Sequence, residues 1–249
     1  MVEPVASESL PPKHGWLSWT GILFALAFPT FVTWAYFIQA AHADEGVQRL
    51  VMGSLKLVQF AFPLVWVLVV LRERIAWQRF TTRGIALGLA FGVLVTLAGW
   101  FIFHEWLLPI AAFQTALEPI RDKVAGFGID TVVKFAALGV FYSIAHSLLE
   151  EYYWRWFVFS QLRRLIPLTP AIVVSALGFT AHHVLVLAHY FGWTSPLTLL
   201  FSASVAVGGA FWAWLYERTG SLLGPWLSHL VIDAGIFFIG FKLVAGTLH

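Results

Sequence analysis

The chain has 249 residues, 59% hydrophobic and 11% charged, with a mean hydropathy of +0.80. A soluble domain carries roughly 25% charged residues, so this composition describes an integral membrane protein and excludes a sizeable soluble domain. A net charge of +2 with a pI near 9.0, its basic residues gathered between apolar runs, reads as an orientation signal and gives no nucleic-acid surface; the absence of cysteine excludes disulfides and thiolate catalysis.

Apolar runs of about 20 residues cross a hydrocarbon core of about 30 Å as helices. Seven are predicted, at roughly 16–41, 48–71, 84–107, 130–160, 170–191, 196–216 and 221–244. The expected fold is therefore all-α, a polytopic transmembrane bundle of about seven spans. It divides into residues 1–129, with three spans and a connecting segment, and a core of four spans over 130–249. The first run ends in Ala41-His42-Ala43, which resembles a signal-cleavage site, but its apolar core exceeds the roughly 7 to 15 residues of a secretory signal, so a retained helix is expected. Gly84, Gly88 and Gly92 in the third span, and Ser202, Ala206 and Ala210 in the sixth, recur every four residues and make flat faces for close helix approach. Packing within one bundle is favoured over dimerisation, and a homo-oligomer stays open. Residues 109–130, with Glu118, Arg121, Asp122 and Lys123, are predicted as an amphipathic surface helix.

Lys13, Arg72, Arg74, Arg79, Arg83, Arg163, Arg164 and Arg218 fall on one side of this arrangement, and Arg49, Arg121, Lys123 and Lys242 on the other. That bias places the N-terminus in the cytoplasm. Trp16, Trp77, Trp106 and Trp193 near span ends suit an interfacial belt.

The chemistry concentrates in the later spans. Glu150 and Glu151, followed by Arg155, lie inside the fourth span. Each ionised group near the bilayer centre costs about 2.5 to 3.5 kcal/mol, so an acidic pair there signals function. Glu151 and Arg155 are four apart and share a helix face, while Glu150 points about 100° away. One carboxylate is thus neutralised and the other is left for proton transfer, with His146 one turn earlier as its partner. The rival reading is a buried polar knot that only fixes helix packing.

Glu150 lies 13 residues before Arg163, and His183 lies 13 after Pro170. Both therefore sit about 20 Å from the intervening turn and are expected to meet. His182 is an ambiguity beside His183. His229 and Asp233 follow at a one-turn spacing in the last span. His14, His42, His104, His189 and His249 read as interface or terminal residues.

Glu150-Glu151-x-x-x-Arg155, Phe179-x-x-x-His183 and His229-x-x-x-Asp233, in that order on successive membrane helices, resemble the CPBP intramembrane protease family. That family contains the CAAX prenyl endopeptidases and bacterial relatives linked to bacteriocin processing or self-immunity. The resemblance covers about 130–244; the first three spans carry no such motif. It implies a CAAX-protease-like core and an intramembrane endopeptidase acting on a membrane-associated peptide or protein. Glu150 and His183 would activate water, His229 and Asp233 would sit near the oxyanion, and Glu151 with Arg155 would brace the site.

Two features depart from the family pattern. Tyr152, Tyr153, Trp154 and Trp156 crowd the first motif, which implies a narrower or differently shaped cavity. Asp233 stands where the prenyl-protein enzymes have asparagine, and it would repel an oxyanion if ionised, donate if protonated, or instead fix the tautomer of His229.

A cofactor-free mechanism is favoured, with zinc on Glu150, His183 and His229 as the alternative. A transporter or channel using the same groups as a proton relay, and a non-catalytic immunity or scaffold protein of the same fold, are the readings from other classes.

Overall fold

A computed structural model describes residues 15–41, 43–75 and 79–248. Lys13, His14, His42, Trp77 and His249, each named above, lie outside the described residues, as does the middle of the Ala41-His42-Ala43 tripeptide.

Among the described residues seven helices are long and apolar enough to cross a membrane: α1 Gly15–Gln39, α2 Gly46–Val70, α3 Thr82–Leu107, α5 Val132–Arg163, α6 Leu168–Phe191, α7 Pro196–Thr219 and α8 Leu223–Val244. Between α3 and α5 runs α4, Ala111–Gly126. Its buried Phe113 and Leu117 join an apolar cluster with Phe103, Leu107 and Leu197, while Glu118 stays exposed. This is the surface helix the charge pattern predicts. No strand occurs among the described residues. The helices begin and end within a few residues of the predicted spans, because the apolar length that bilayer thickness demands is written directly in composition.

Small residues set the packing. Gly84, Gly88 and Gly92 are all buried, and α3 lies along α8 at these points. A Cβ on Gly88 would strike the carbonyl of Gly224, and one on Gly92 would meet the backbone of Ser228. The predicted flat face is therefore spent inside the bundle. In α7, Gly209 lies against Phe179, Ala176 and Arg155, whereas Ala206 and Ala210 are half-buried. The turn from α7 to α8 uses Gly220 at φ 61°, whose N–H caps the helix on the Tyr216 carbonyl, a left-handed position that glycine fills without strain.

The main core joins Ile22 and Ala25 of α1, Tyr153, Trp154, Phe157 and Phe159 of α5, Phe179 of α6 and Trp212 and Ala213 of α7. Trp16, Trp106 and Trp193 are exposed near helix ends, in keeping with an interfacial belt.

The fourth span departs from a uniform α-helix. Phe141–His146 and Tyr152–Phe159 are π-helical, and they bracket an α-helical turn at Ser147–Glu151. Such π turns widen a helix locally and recur at functional sites.

Candidate active site

The π-bracketed turn holds Glu150 and Glu151, both buried. Glu151 meets an ion-pair partner on one side and a hydrogen-bond partner on the other. Arg155 Nη1 lies 3.0 Å from its Oε1, and His229 Nδ1 lies 2.8 Å from the same oxygen. Arg155, 1% exposed, also donates from Nη2 to the Gly209 carbonyl at 3.2 Å. Its guanidinium lies beside the rings of Phe179 and Trp212, 4.8 and 4.9 Å from their centroids. The local neutralisation of Glu151 inferred from spacing is present, and the bond to His229 extends it across two helices.

Glu150 makes no pair with arginine or lysine among the described residues. Imidazoles surround it instead. His182 Nε2 lies 3.6 Å and His146 Nε2 3.9 Å from Oε1, and His229 Nε2 lies 3.7 Å from Oε2. The ligand atoms of Glu150, His182 and His183 all fall within 4.8 Å of one another. Glu150 and His183 do meet, as equal depth required, and His182 comes with them, so the ambiguity between the two histidines ends with both beside the carboxylate.

Each imidazole is set by its surroundings. His183 Nδ1 bonds the Phe179 carbonyl at 2.9 Å, which leaves Nε2 as the nitrogen that can act on a reactant. The ring of His182 lies parallel to that of Trp154, 4° between planes. His229 stacks on Trp212 at 4.2 Å and 16°, and Trp212 is held by its Nε1 donating to Ser228 at 2.9 Å. Phe179 touches His182, His183, His229, Trp154, Trp212 and Arg155, so the aromatic residue of the second motif is the packing hub of the site.

Asp233 Oδ1 lies 3.6 Å from His229 Nε2. The tautomer-fixing partner of His229 is therefore Glu151, through Nδ1. Asp233, 18% exposed at its side chain, is more open than Glu150 or His229. The aromatic crowding after Glu151 also resolves into scaffold. Tyr153 and Trp154 are fully buried, Tyr153 Oη donates to the Ala25 carbonyl at 2.9 Å, and Tyr152 stacks on Trp156 at 17°.

The donor set bears on zinc. The group whose atoms converge is Glu150, His182 and His183, whereas His229 gives Nδ1 to Glu151. The converging group differs by one member from the trio named above as the zinc alternative, which had His229 as third ligand. Zinc would bring such atoms to about 2.0 to 2.2 Å of one point, and the bond from His183 to a backbone carbonyl is the outer-shell contact that orients a metal-bound imidazole.

The family model described as Type II CAAX prenyl endopeptidase Rce1-like matches residues 132–235. Over that segment the chain is similar to the type II CAAX prenyl endopeptidases. The match begins at the first residue of α5 and ends two residues past Asp233, so every side chain described above lies within it. No curated protein and no solved structure matches the chain. The first three spans lie outside the match.

Two contributors were not singled out by the sequence reading. Trp212 carries no local motif, and only the folded contact with His229 reveals it. Lys56, inside α2, was readable by the same rule that singled out Glu150, since an ionisable residue in mid-span calls for a function.

Proposed function

We propose that this protein hydrolyses a membrane-associated peptide or protein with a water activated by Glu150, without a metal. The observation that carries this reading is the ring of imidazoles around Glu150, at 3.6 to 3.9 Å, a carboxylate not committed to an ion pair with arginine or lysine while its neighbour Glu151 is. His183, donating Nδ1–H to the Phe179 carbonyl, has Nε2 available to accept. A water giving one hydrogen to Glu150 and one to His183 keeps its oxygen lone pairs for the scissile carbonyl.

On attack, the water oxygen bonds the carbonyl carbon and its proton passes to Glu150. As the C–N bond breaks, Glu150 returns the proton to the leaving amine, so the group ends the cycle as it began. His229, donating Nδ1–H to Glu151 and shelved on Trp212, presents Nε2 on the other side of Glu150; as the imidazolium it can donate Nε2–H to the oxyanion, joined by Asp233 when that carboxyl is protonated. Glu151 and Arg155 position His229 rather than touching the reactant. Were zinc bound, Glu150, His182 and His183 would hold it, and it would supply Lewis-acid polarisation of the carbonyl.

The test compares membrane-protein termini in cells carrying wild-type protein and Glu150→Gln at matched expression. It is paired with cleavage of a quenched fluorescent peptide ending in a prenylated cysteine and three further residues by the purified proteins. General acid–base catalysis accounts for about 10²- to 10⁴-fold in rate, so the variant is expected to lose at least about a hundredfold while folding normally. Unchanged termini and unchanged peptide cleavage would overturn the reading. An ion or proton flux lost in the variant would replace it with a transporter.

A further inference from the structure

Lys56 is the group that the mechanism above does not use. It sits 14 residues before Val70, the end of α2, and Glu150 sits 13 before Arg163, the end of α5. At 1.5 Å per residue the two lie at about 21 and 20 Å from helix ends, and those ends are joined by the Arg164–Glu73 ion pair at 2.7 Å. They therefore occupy one level of the bilayer. The other end of α2, at Gly46, is about 15 Å away, beyond the reach of a four-carbon stem, so snorkelling to the interface does not explain the charge.

The face of α2 that carries Lys56 is turned to the site. One turn on, Phe60 meets the ring of His146 edge-on at 6.2 Å and that of Tyr153 at 6.3 Å, and its carbonyl accepts from Tyr152 Oη at 3.3 Å. Lys56 Nζ lies 5.4 Å from the Phe60 ring centroid. Yet it forms no ion pair with any carboxylate among the described residues, and it is half-buried, with part of its surface open. Also one turn away, Gln59 is fully buried with neither its amide nitrogen nor its amide oxygen bonded. One turn of an apolar helix, beside a hydrolytic centre, thus carries a cation with no carboxylate partner among the described residues and a buried amide without a hydrogen bond.

A cation held at mid-bilayer calls for an anion. The glutamates do not supply it, since Glu151 is taken by Arg155 and His229, and Glu150 faces imidazoles. We infer that Lys56 is the anchor for a carboxylate of the substrate, and that Gln59 stands beside it to meet the adjoining peptide amide. The inference rests on the hydrolase reading. Anchoring at this level fixes how far the scissile bond lies from the charged group, which makes cleavage a measured distance from a carboxylate. That carboxylate is the peptide's C-terminus or an acidic side chain, and the two can be told apart.

The experiment uses full-length protein in lipid nanodiscs and three versions of the fluorescent prenylated peptide: free acid, C-terminal amide, and amide with one glutamate near the terminus. Wild-type protein is expected to favour a carboxylate-bearing peptide over the plain amide by about tenfold or more in kcat/KM, mainly through KM. Lys56→Met is expected to bring that ratio close to one, and Lys56→Arg to restore most of it. Dependence on the free acid assigns the C-terminus, and dependence on the glutamate peptide assigns a side chain; either supports the anchor. A wild-type ratio near one, or a ratio unchanged in Lys56→Met, overturns it. Should none of the peptides be cut, the hydrolase reading is what fails. The same ratio is then read from fluorescence anisotropy of binding to wild type and Lys56→Met, where equal binding of acid and amide overturns the anchor independently.

Discussion

At Asp233 the sign of the charge matters most. Its Oδ1 lies 3.6 Å from His229 Nε2, on the side of the site where negative charge would build on the substrate oxygen. An ionised carboxylate there would oppose that charge, whereas an amide can donate to it. Asp233→Asn is therefore expected to stay within about tenfold of the wild-type kcat, below the loss of about 10² or more that follows removal of a sole oxyanion donor; complete inactivation would show that the carboxylate itself is required. Arg155 is the opposite case, a charge whose work is structural. With Glu151 it forms an ion pair at 3.0 Å in which both side chains are essentially inaccessible. Removing one partner of such a pair costs about 3 to 5 kcal/mol, because the other is left charged and buried. Arg155→Ala is expected to lower the thermal unfolding midpoint and the yield together. Arg155→Lys should recover little, since an ammonium lacks the planar fork that serves Glu151 and the Gly209 carbonyl at once beside the Phe179 and Trp212 rings. At Glu150 the remaining question is chemical. The metal-free reading predicts activity in excess chelator and substoichiometric zinc in purified protein, while zinc at one per chain, lost with activity in Glu150→Ala, would move the mechanism to a metal held by Glu150, His182 and His183.

Helix placement decides whether these side chains converge, and the pairing of α3 with α8 shows how. α8 carries His229 and Asp233, and it reaches α3 through bare backbone at Gly88 and Gly92. Gly88→Ala puts a methyl into the Gly224 carbonyl, which has no flexible tip to yield, so α8 must move. Overpacking of this kind costs about 1 to 3 kcal/mol, and a loss of activity larger than the loss of folded protein is expected. Gly99→Ala, in the same helix but with nothing within 4 Å of the added carbon, is the control and should be neutral or slightly stabilising; equal effects from both would show that the glycine contact does not set the position of α8. The glycine stripe was legible because period and residue size appear in the sequence, and so were the Glu151–Arg155 pair and the shared depth of Glu150 and His183, which follow from 3.6 residues per turn. The π turns around Ser147–Glu151 were not, since the shift from i−4 to i−5 bonding has no signature in composition. The bond from Glu151 to His229 spans 78 residues and its partner choice depends on how two helices rotate, so the spacing inside each motif left Asp233 as one candidate for fixing the His229 tautomer and gave no sign of Glu151.

Across the whole molecule, the two ends of the bundle differ in charge and in how they are tied. At one end Arg164 pairs with Glu73, Arg163 with Glu217, and Arg79 N–H donates to the Gly220 carbonyl at 3.3 Å, joining the segments after α2, α5 and α7. At the other, Lys123 donates to Gln48 and Arg121 to the Leu243 carbonyl. Single exposed pairs of this kind contribute about 0 to 1 kcal/mol each, so their value lies in showing which loops share an end. Lys134, paired with Asp130 at 2.6 Å, joins the second end, so the basic residues assigned by sequence divide eight to five rather than eight to four, with Lys56 and Arg155 held inside the spans; these add up to the 15 lysines and arginines of the chain. The bias still points the Arg72, Arg163 and Arg218 end toward the cytoplasm. Because the chain has no cysteine, single cysteines report this cleanly. Phe80, 72% exposed, lies at the basic end, and Trp193, 66% exposed, lies in the turn between α6 and α7 at the opposite one. In sealed right-side-out vesicles a membrane-impermeant maleimide is expected to label Trp193→Cys at once and Phe80→Cys only after permeabilisation. The reverse pattern would turn the molecule over and place its basic end, about 20 Å from Glu150 along α5, on the outer side of the membrane.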